Sequence, residues 1–320
     1  IKVEFLEYRK WIINLTRILI KPNDSIKLRK KRFKANIIFE INNNSKCIFP
    51  ASVRAHGDLN DHLELKNGNP VSSLNINLKE GNIDNITKFI LFIPKSRRFD
   101  NEIFVATLLK ELNYLSPATF YTDVTVGQIK TKYIFQEKIE KEFLERNRKI
   151  EGPIIEGYEN FTKSYKKPAR ISNAEWVKDS INKLNISTAA LSDMNSFIFN
   201  HVNTTQDWSS ENDILSFDNN YLSLKEKNIL NSYETFLFAL DITHGAAISD
   251  RRFYYDIIYN EFHPIYYDGN SQILNNLNLK PLRFKNSKNP DRINQILTTY
   301  PKPFVTKEAW LGSDYALNLI

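Results

Sequence analysis

Alternation of apolar and polar residues predicts several strands in the first half of the chain. Within residues 73–79, Leu74, Ile76 and Leu78 share one face, while polar side chains occupy the other. The fully apolar run 89–93 indicates a buried strand. Further strands are predicted at residues 33–41, 47–53, 119–126 and 132–137.

Helical spacing marks the other elements. A helix is predicted over residues 101–112, with Asp100 as its N-cap. Apolar residues recur there every three or four positions, so we expect one buried face. The same spacing predicts helices over residues 1–20, 173–202 and 223–243.

A β-hairpin is predicted inside the helical second half. Two aromatic runs, residues 252–255 and 264–267, flank a polar turn around Asn260. An acid follows each run, namely Asp256 and Asp268. A strand holds such a carboxylate rigidly, which suits a metal ligand.

The order of elements favours an α+β, protein-kinase-like, two-lobed fold. Residues 1–45 are predicted to form an N-terminal extension and the first strand. Residues 46–150 would form a strand-rich lobe with one helix, and residues 151–320 a mainly helical lobe carrying the hairpin. Phosphoryl transfer needs a basic side chain and an acid in the first lobe, with metal-binding carboxylates in the second.

Composition excludes several classes of protein. The chain has 320 residues, 42% of them hydrophobic and 25% charged, and a net charge of +7. The basic cluster at residues 27–32 is commonly a solvated face, and no nucleic-acid-binding motif accompanies it, so we expect no nucleic-acid partner. The single cysteine, Cys47, excludes an intrachain disulfide and a cysteine-rich zinc site.

The start of the sequence does not decide the cellular location of the protein. The apolar run at residues 11–20 is too short and too polar to span a bilayer. Because the sequence begins with Ile1 rather than Met, we expect that an N-terminal segment is missing, and a signal or an anchor could have been part of it. Association with a membrane or a bacterial envelope through that segment stays open.

Candidate catalytic groups gather near the hairpin. His244 and Asp250 lie in a short loop before it, and Gly269 follows Asp268 so that the backbone can turn away from the carboxylate. The other interpretation is that Asp-Gly pairs are ordinary turn residues and aromatic strands ordinary core.

The first half offers weaker signals. Arg54 and Gly57 lie in a turn that could approach phosphates, although one glycine is little support and a plain hairpin loop is the alternative. Glu102 lies in the first turn of the predicted helix, where an acid also favours the helix N-terminus. Glu137 ends a predicted strand.

Two segments resemble the CotH family of atypical kinases, named for a spore-coat protein kinase, and more closely a bacterial branch of it. These are NEIFVATLLKELNYLSPATFYTDVTVGQIKTKYIFQEKIEKEFLERNRKIEGPIIEG and RRFYYDIIYNEFHPIYYDGNSQIL. The resemblance covers roughly residues 53–274. It is specific as an ordered set of motifs, and no single motif is specific alone.

The resemblance implies transfer of phosphate from ATP, with Mg²⁺ or Mn²⁺, to a protein Ser or Thr hydroxyl. Asp268 matches the family's metal-binding Asp, and Glu102 matches the helix Glu that pairs with the nucleotide lysine. Arg54 and Gly57 match the turn near the phosphates, and Glu137 would lie near the adenine.

The sequence departs from the family at the lysine and at the catalytic acid. The usual Lys-Lys strand is absent, so Lys79 is nominated as the nucleotide lysine, with Lys88 as the other candidate. The usual acid before the aromatic strand is also absent, and Asp250 or His244 would act on the acceptor hydroxyl instead.

The second metal ligand is a choice between Asn270 and Asp256, because the family's second Asp is replaced by Gly269. Two hypotheses follow. The first is a nucleotide-dependent phosphotransferase acting on a protein or surface-polymer hydroxyl. The second is a non-catalytic binding or assembly protein of a bacterial envelope or coat.

Overall fold

Seven strands within residues 2–137 close into a barrel. The computed structural model describes residues 1–20, 28–42, 45–57, 60–157, 169–205, 222–246, 250–274 and 312–320. Its strands are β1 Lys2–Phe5, β2 Phe33–Asn42, β3 Ser45–Ala55, β4 Leu63–Lys66, β5 Asn69–Ser72, β6 Leu74–Leu78, β7 Lys88–Phe92, β8 Thr119–Val126, β9 Ile129–Glu137, β10 Ile154–Glu156, β11 Arg170–Ile171, β12 Arg252–Asp256 and β13 Glu261–Ile265.

The described helices range from four to 25 residues in length. They are α1 Tyr8–Ile20, α2 Asp100–Glu111, α3 Lys141–Arg146, α4 Ala174–Val177, α5 Ile181–Thr205, α6 Leu224–Ala239 and α7 Ser313–Leu317. The chain divides into two units. The barrel unit comprises Ile1–Ile103 and Pro117–Arg146, and the second unit comprises Phe104–Ser116 and Asn147–Ile320.

The interior of the barrel follows from the alternation in its strands. Inward residues on successive strands, such as Val53, Ile76 and Phe89, are almost completely buried. Helix α1 covers this core because Trp11, Leu15 and Ile18 recur at helical spacing and are buried. The core therefore joins the strand faces to one helix face.

The predicted two-lobed, protein-kinase-like fold is wrong. Residues 2–5, predicted as part of a helix, instead form β1, which pairs with β2 on one side and with β8 on the other. This closes the sheet into a barrel with the strand order β1-β2-β3-β6-β7-β9-β8. Helix formation starts only at Tyr8. The second unit also contains a four-stranded sheet, so it is not simply helices around a hairpin.

The sheet of the second unit has the order β11-β10-β12-β13. Its hairpin of β12 and β13 includes the first predicted aromatic run, but β13 covers residues 261–265 instead of the predicted 264–267. Arg252 pairs with Ile265, and Asp256 pairs with Glu261. Asn260 adopts a left-handed φ of 53° at the turn. Within the described residues, no helix is long and apolar enough to cross a membrane.

Substituting Trp11 tests the aromatic packing that holds α1 on the barrel. Trp11 is 1% exposed and stacks on Phe5 at 4.4 Å between ring centroids. We expect Trp11→Ala to lower the free energy of unfolding by about 3–5 kcal/mol, as is typical of a buried aromatic. Urea unfolding followed by circular dichroism measures it.

The matched control is Ile13→Ala on the same helix, because Ile13 is 48% exposed. It should cost less than about 1 kcal/mol. Equal losses in the two variants would contradict the packing described for α1.

The hairpin should make stability depend on pH through His263. Burial lowers the pKa of His263 to about 4 from its usual 6.5. The unfolded chain therefore takes up this proton first as pH falls. The stabilisation is complete above pH 6.5 and is lost as pH falls toward 4, by about 3 kcal/mol in all.

Urea unfolding between pH 7 and pH 4 measures this slope in the wild type and in His263→Gln. The variant should lose this part of the slope while other groups continue to contribute. Identical slopes in both proteins would show that His263 titrates normally in the folded state.

Candidate functional site

Three side chains of the second unit converge on one point. A ring nitrogen of His244 and a carboxylate oxygen each of Asp250 and Asp268 all lie within 4.8 Å of one another. His244 Nε2 is 3.9 Å from Asp250 Oδ2. Among the described residues, no other group of three histidine, cysteine or acidic side chains lies close enough together to bind a metal ion.

His244 is positioned by the end of helix α6. The helix stops where Asp241 adopts a left-handed φ of 53°, and Ile242 N donates a hydrogen bond to Leu237 O at 2.7 Å. This arrangement satisfies a carbonyl of the last turn. A 3₁₀ turn, Thr243–Ala246, follows directly and carries His244.

Asp250 is fixed through its neighbour. Arg251 forms a buried ion pair with Glu234 of α6, with 2.5 Å between Arg251 Nη2 and Glu234 Oε1. Asp250 itself is only 5% exposed. Because breaking a buried pair leaves an uncompensated charge, this contact holds the start of β12 firmly on the helix.

Asp268 lies on a segment held at both ends. Before it, Tyr266 N donates to Leu115 O at 2.8 Å. After it, Ser271 Oγ donates to Leu240 O, beyond the end of α6, at 2.6 Å. Asp268 has a left-handed φ of 42°, which is uncommon for a residue with a side chain.

Two glycines allow these segments to approach each other. A Cβ on Gly269 would overlap Ile242 and would lie 2.8 Å from Tyr266 Oη. A Cβ on Gly245 would lie 3.1 Å from Tyr267 O and 3.5 Å from Gly269 Cα. The glycine after Asp268 is therefore required by close packing.

The three groups fit a divalent cation. Two donors on opposite sides of an ion are about 4.2 Å apart when each bond is about 2.1 Å long, so side-chain shifts of about 1 Å would complete the site. The C-terminal end of α6 carries partial negative charge that also favours a cation. His244 is 50% exposed, which leaves one side open to a substrate.

The two candidates for a further ligand differ in placement. Asn270 is exposed and has a left-handed φ of 51° close to Asp268. Asp256 instead accepts hydrogen bonds from the amides of Ile258 at 3.0 Å and Tyr259 at 3.4 Å. Its carboxylate therefore closes the hairpin turn.

The predicted phosphate turn lies in the barrel unit. Gly57 follows β3, which carries Arg54, and has a φ of 90°. Arg29 Nη1 donates to Gly57 O at 2.8 Å. A Cβ on Gly57 would overlap the His62 ring, so packing against His62 explains this glycine.

Two histidines and an arginine lie close together near this turn. The rings of His56 and His62 are 5.4 Å apart, and both contact Phe92. The Arg97 guanidinium lies 4.2 Å above the same Phe92 ring. Burial, and then the charges of His62 and Arg97, hold the pKa of His56 well below its usual value.

The structure does not bring the predicted lysines to Glu102. Lys79 is exposed beyond the end of β6, and its backbone N–H donates to Pro50 O at 2.7 Å. Lys88 forms an ion pair with Glu140. Among the described contacts, neither lysine meets Glu102.

Lys79 is also distant from the predicted phosphate turn. Arg54 in β3 pairs with Asn75 in β6, and Lys79 follows Asn75 by four residues. An extended chain covers about 13 Å over four residues. Lys79 and Arg54 therefore lie toward opposite ends of the β3–β6 pair.

The two predicted acids of the barrel unit are buried and already bonded. Glu102 Oε1 accepts a hydrogen bond from Gln136 Nε2 at 2.8 Å. Glu137 accepts a hydrogen bond from Ala118 N at 3.2 Å and forms an ion pair with Arg146, also at 3.2 Å. Both carboxylates therefore take part in hydrogen bonds or ion pairs inside the barrel unit.

The sequence alone did not show which residues hold the site together. These are Glu234, Arg251, Gly245 and Ser271. A signal was present for Glu234, because an acid stands within the apolar run YETFLF of a predicted helix. A charged residue on a buried helix face needs a partner of opposite charge, and the two consecutive arginines Arg251 and Arg252 further along the chain offered one.

No protein-family model matches the sequence, and no curated protein is significantly similar to it. The resemblance to the CotH family therefore stays a prediction. The function has to be inferred from the residues of the site.

Proposed function

We propose that this chain is an ATP-dependent phosphotransferase that uses a divalent cation, Mg²⁺ or Mn²⁺. His244, Asp250 and Asp268 would hold the cation. The acceptor would be a hydroxyl of a protein Ser or Thr or of a surface polymer. The observation that carries the proposal is the convergence of these three side chains from separate segments.

Phosphoryl transfer suits such a site. The acceptor oxygen forms a bond to the γ-phosphorus, the bond from that phosphorus to the bridging oxygen of ADP breaks, and the hydroxyl proton is released to solvent. Catalysis of this step is mainly positioning and electrostatic stabilisation. A bound cation would neutralise phosphate charge.

The chain's own residues supply the rest. The buried Asp250 and Asp268, which lies three residues after the end of β13, hold negative charge at the site, and the half-exposed His244 borders the open side. The site therefore supports binding of a phosphate-bearing substrate from solvent. Asp268 also matches the metal-binding Asp of the resembled family.

A second candidate is a non-catalytic binding or assembly protein. The separation of Lys79 from Glu102 and Arg54 favours it, because a nucleotide site would gather these groups. This candidate predicts that the chain transfers no phosphate. It also predicts that ATP leaves the melting temperature unchanged.

Incubation with γ-³²P-ATP and Mg²⁺ or Mn²⁺ tests the proposal. We expect the wild type to label itself or a casein-like protein. Asp268→Asn should reduce labelling by at least about 100-fold, because even residues that only support metal ligands contribute about 10–100-fold.

The matched control is Asp179→Asn, an exposed acid of the same unit that pairs with Lys183. It should label like the wild type. Equal labelling by Asp268→Asn would refute the assigned site. No labelling by the wild type, together with no shift of its melting temperature by ATP, would favour the non-catalytic candidate.

A further inference from the structure

The donor set of the site is mixed. Asp250 and Asp268 offer carboxylate oxygens, and His244 offers an imidazole nitrogen within the same 4.8 Å. Mg²⁺ is bound mainly through carboxylates, phosphates and water. Imidazole is a better ligand for first-row transition ions.

The geometry points to a site that binds a first-row transition ion in preference to Mg²⁺, with His244 as the selecting ligand. This inference rests on the metal centre of the proposed function and goes beyond it by naming the class of cation. It changes the role first expected for His244, from a group acting on the acceptor hydroxyl to a metal ligand.

The placement of His244 supports this role. Its Nε2 is 3.9 Å from Asp250 Oδ2, a separation close to that of two ligands of one ion. The 3₁₀ turn that carries it is held near Asp268 by the contact between Gly245 and Gly269. The imidazole therefore lies beside the carboxylates without a loop movement.

The coordination would remain open. Three protein donors leave further positions for water and substrate oxygens, as in catalytic metal sites. The His244 side chain is half exposed to solvent, whereas the Asp250 side chain is buried. A phosphate oxygen would thus approach from the side of the imidazole.

Binding of Mn²⁺ and Co²⁺ to the whole chain, without nucleotide, tests the inference. Electron paramagnetic resonance reports free Mn²⁺, and visible absorption reports the ligands of Co²⁺. We expect Mn²⁺ to stay bound in a tenfold excess of Mg²⁺. His244→Asn, which offers only an amide, should weaken Mn²⁺ and Co²⁺ binding at least tenfold and change Mg²⁺ binding less than threefold.

Two further variants make the result specific. Asp268→Asn should weaken binding of all three ions, and His263→Gln should change none, because the His263 imidazole faces Asp256. Melting curves establish that each variant is folded, which we expect for His244→Asn because this residue is half exposed.

Displacement of Mn²⁺ by equimolar Mg²⁺, or unchanged Mn²⁺ affinity in His244→Asn, would overturn the inference. Because no ATP is present, the outcome is separate from that of the transfer assay. Selective, His244-dependent binding supports the inference even if no phosphate is transferred. Failure of the wild type to bind any of the three ions would overturn this inference, and the transfer assay would then decide the proposed function by itself.

Discussion

All three donor-bearing segments are attached to the last two turns of helix α6 or to the residues just after them. The Arg251–Glu234 ion pair fixes the segment of Asp250, and the Ser271–Leu240 hydrogen bond fixes that of Asp268. The 3₁₀ turn with His244 begins three residues after Leu240. Any change that displaces the end of α6 would therefore disturb all three donors together.

The glycine contact sets the distance between two of these segments. A side chain at Gly269 would collide with Ile242 and Tyr266, which are both fully buried. Asp268 next to it is held in a left-handed conformation. Residues in such conformations persist when the surrounding structure determines them, and they cluster at functional sites. The strain at Asp268 is thus consistent with a side chain positioned for binding.

Local patterns predicted the elements better than their assembly. Alternation located β6, a fully apolar run located β7, and the aromatic runs indicated the hairpin, because these signals depend on neighbouring residues. Closure of the barrel depends on β1, which has four residues and pairs in parallel with β8. The sequence of β1 alternates between polar and apolar residues, but only over four residues next to a longer helical pattern. Its parallel partner β8 is more than a hundred residues away in the sequence.

The same distinction applies to the site. His244, Asp250 and Asp268 lie on consecutive segments around one hairpin, so their proximity could be expected from the sequence. The proposed link between Lys79 and Glu102 required a particular sheet arrangement. In the barrel, Lys79 is instead exposed, and Glu102 accepts a hydrogen bond from Gln136. Long-range register was the information that the sequence alone lacked.

The most direct test of the metal centre is a crystal structure of the chain soaked in Mn²⁺, with anomalous diffraction data. We expect one strong peak about 2.0–2.3 Å from a ring nitrogen of His244 and from carboxylate oxygens of Asp250 and Asp268. A map without a peak among these side chains, or with His244 turned away from the ion, would refute the proposed metal centre.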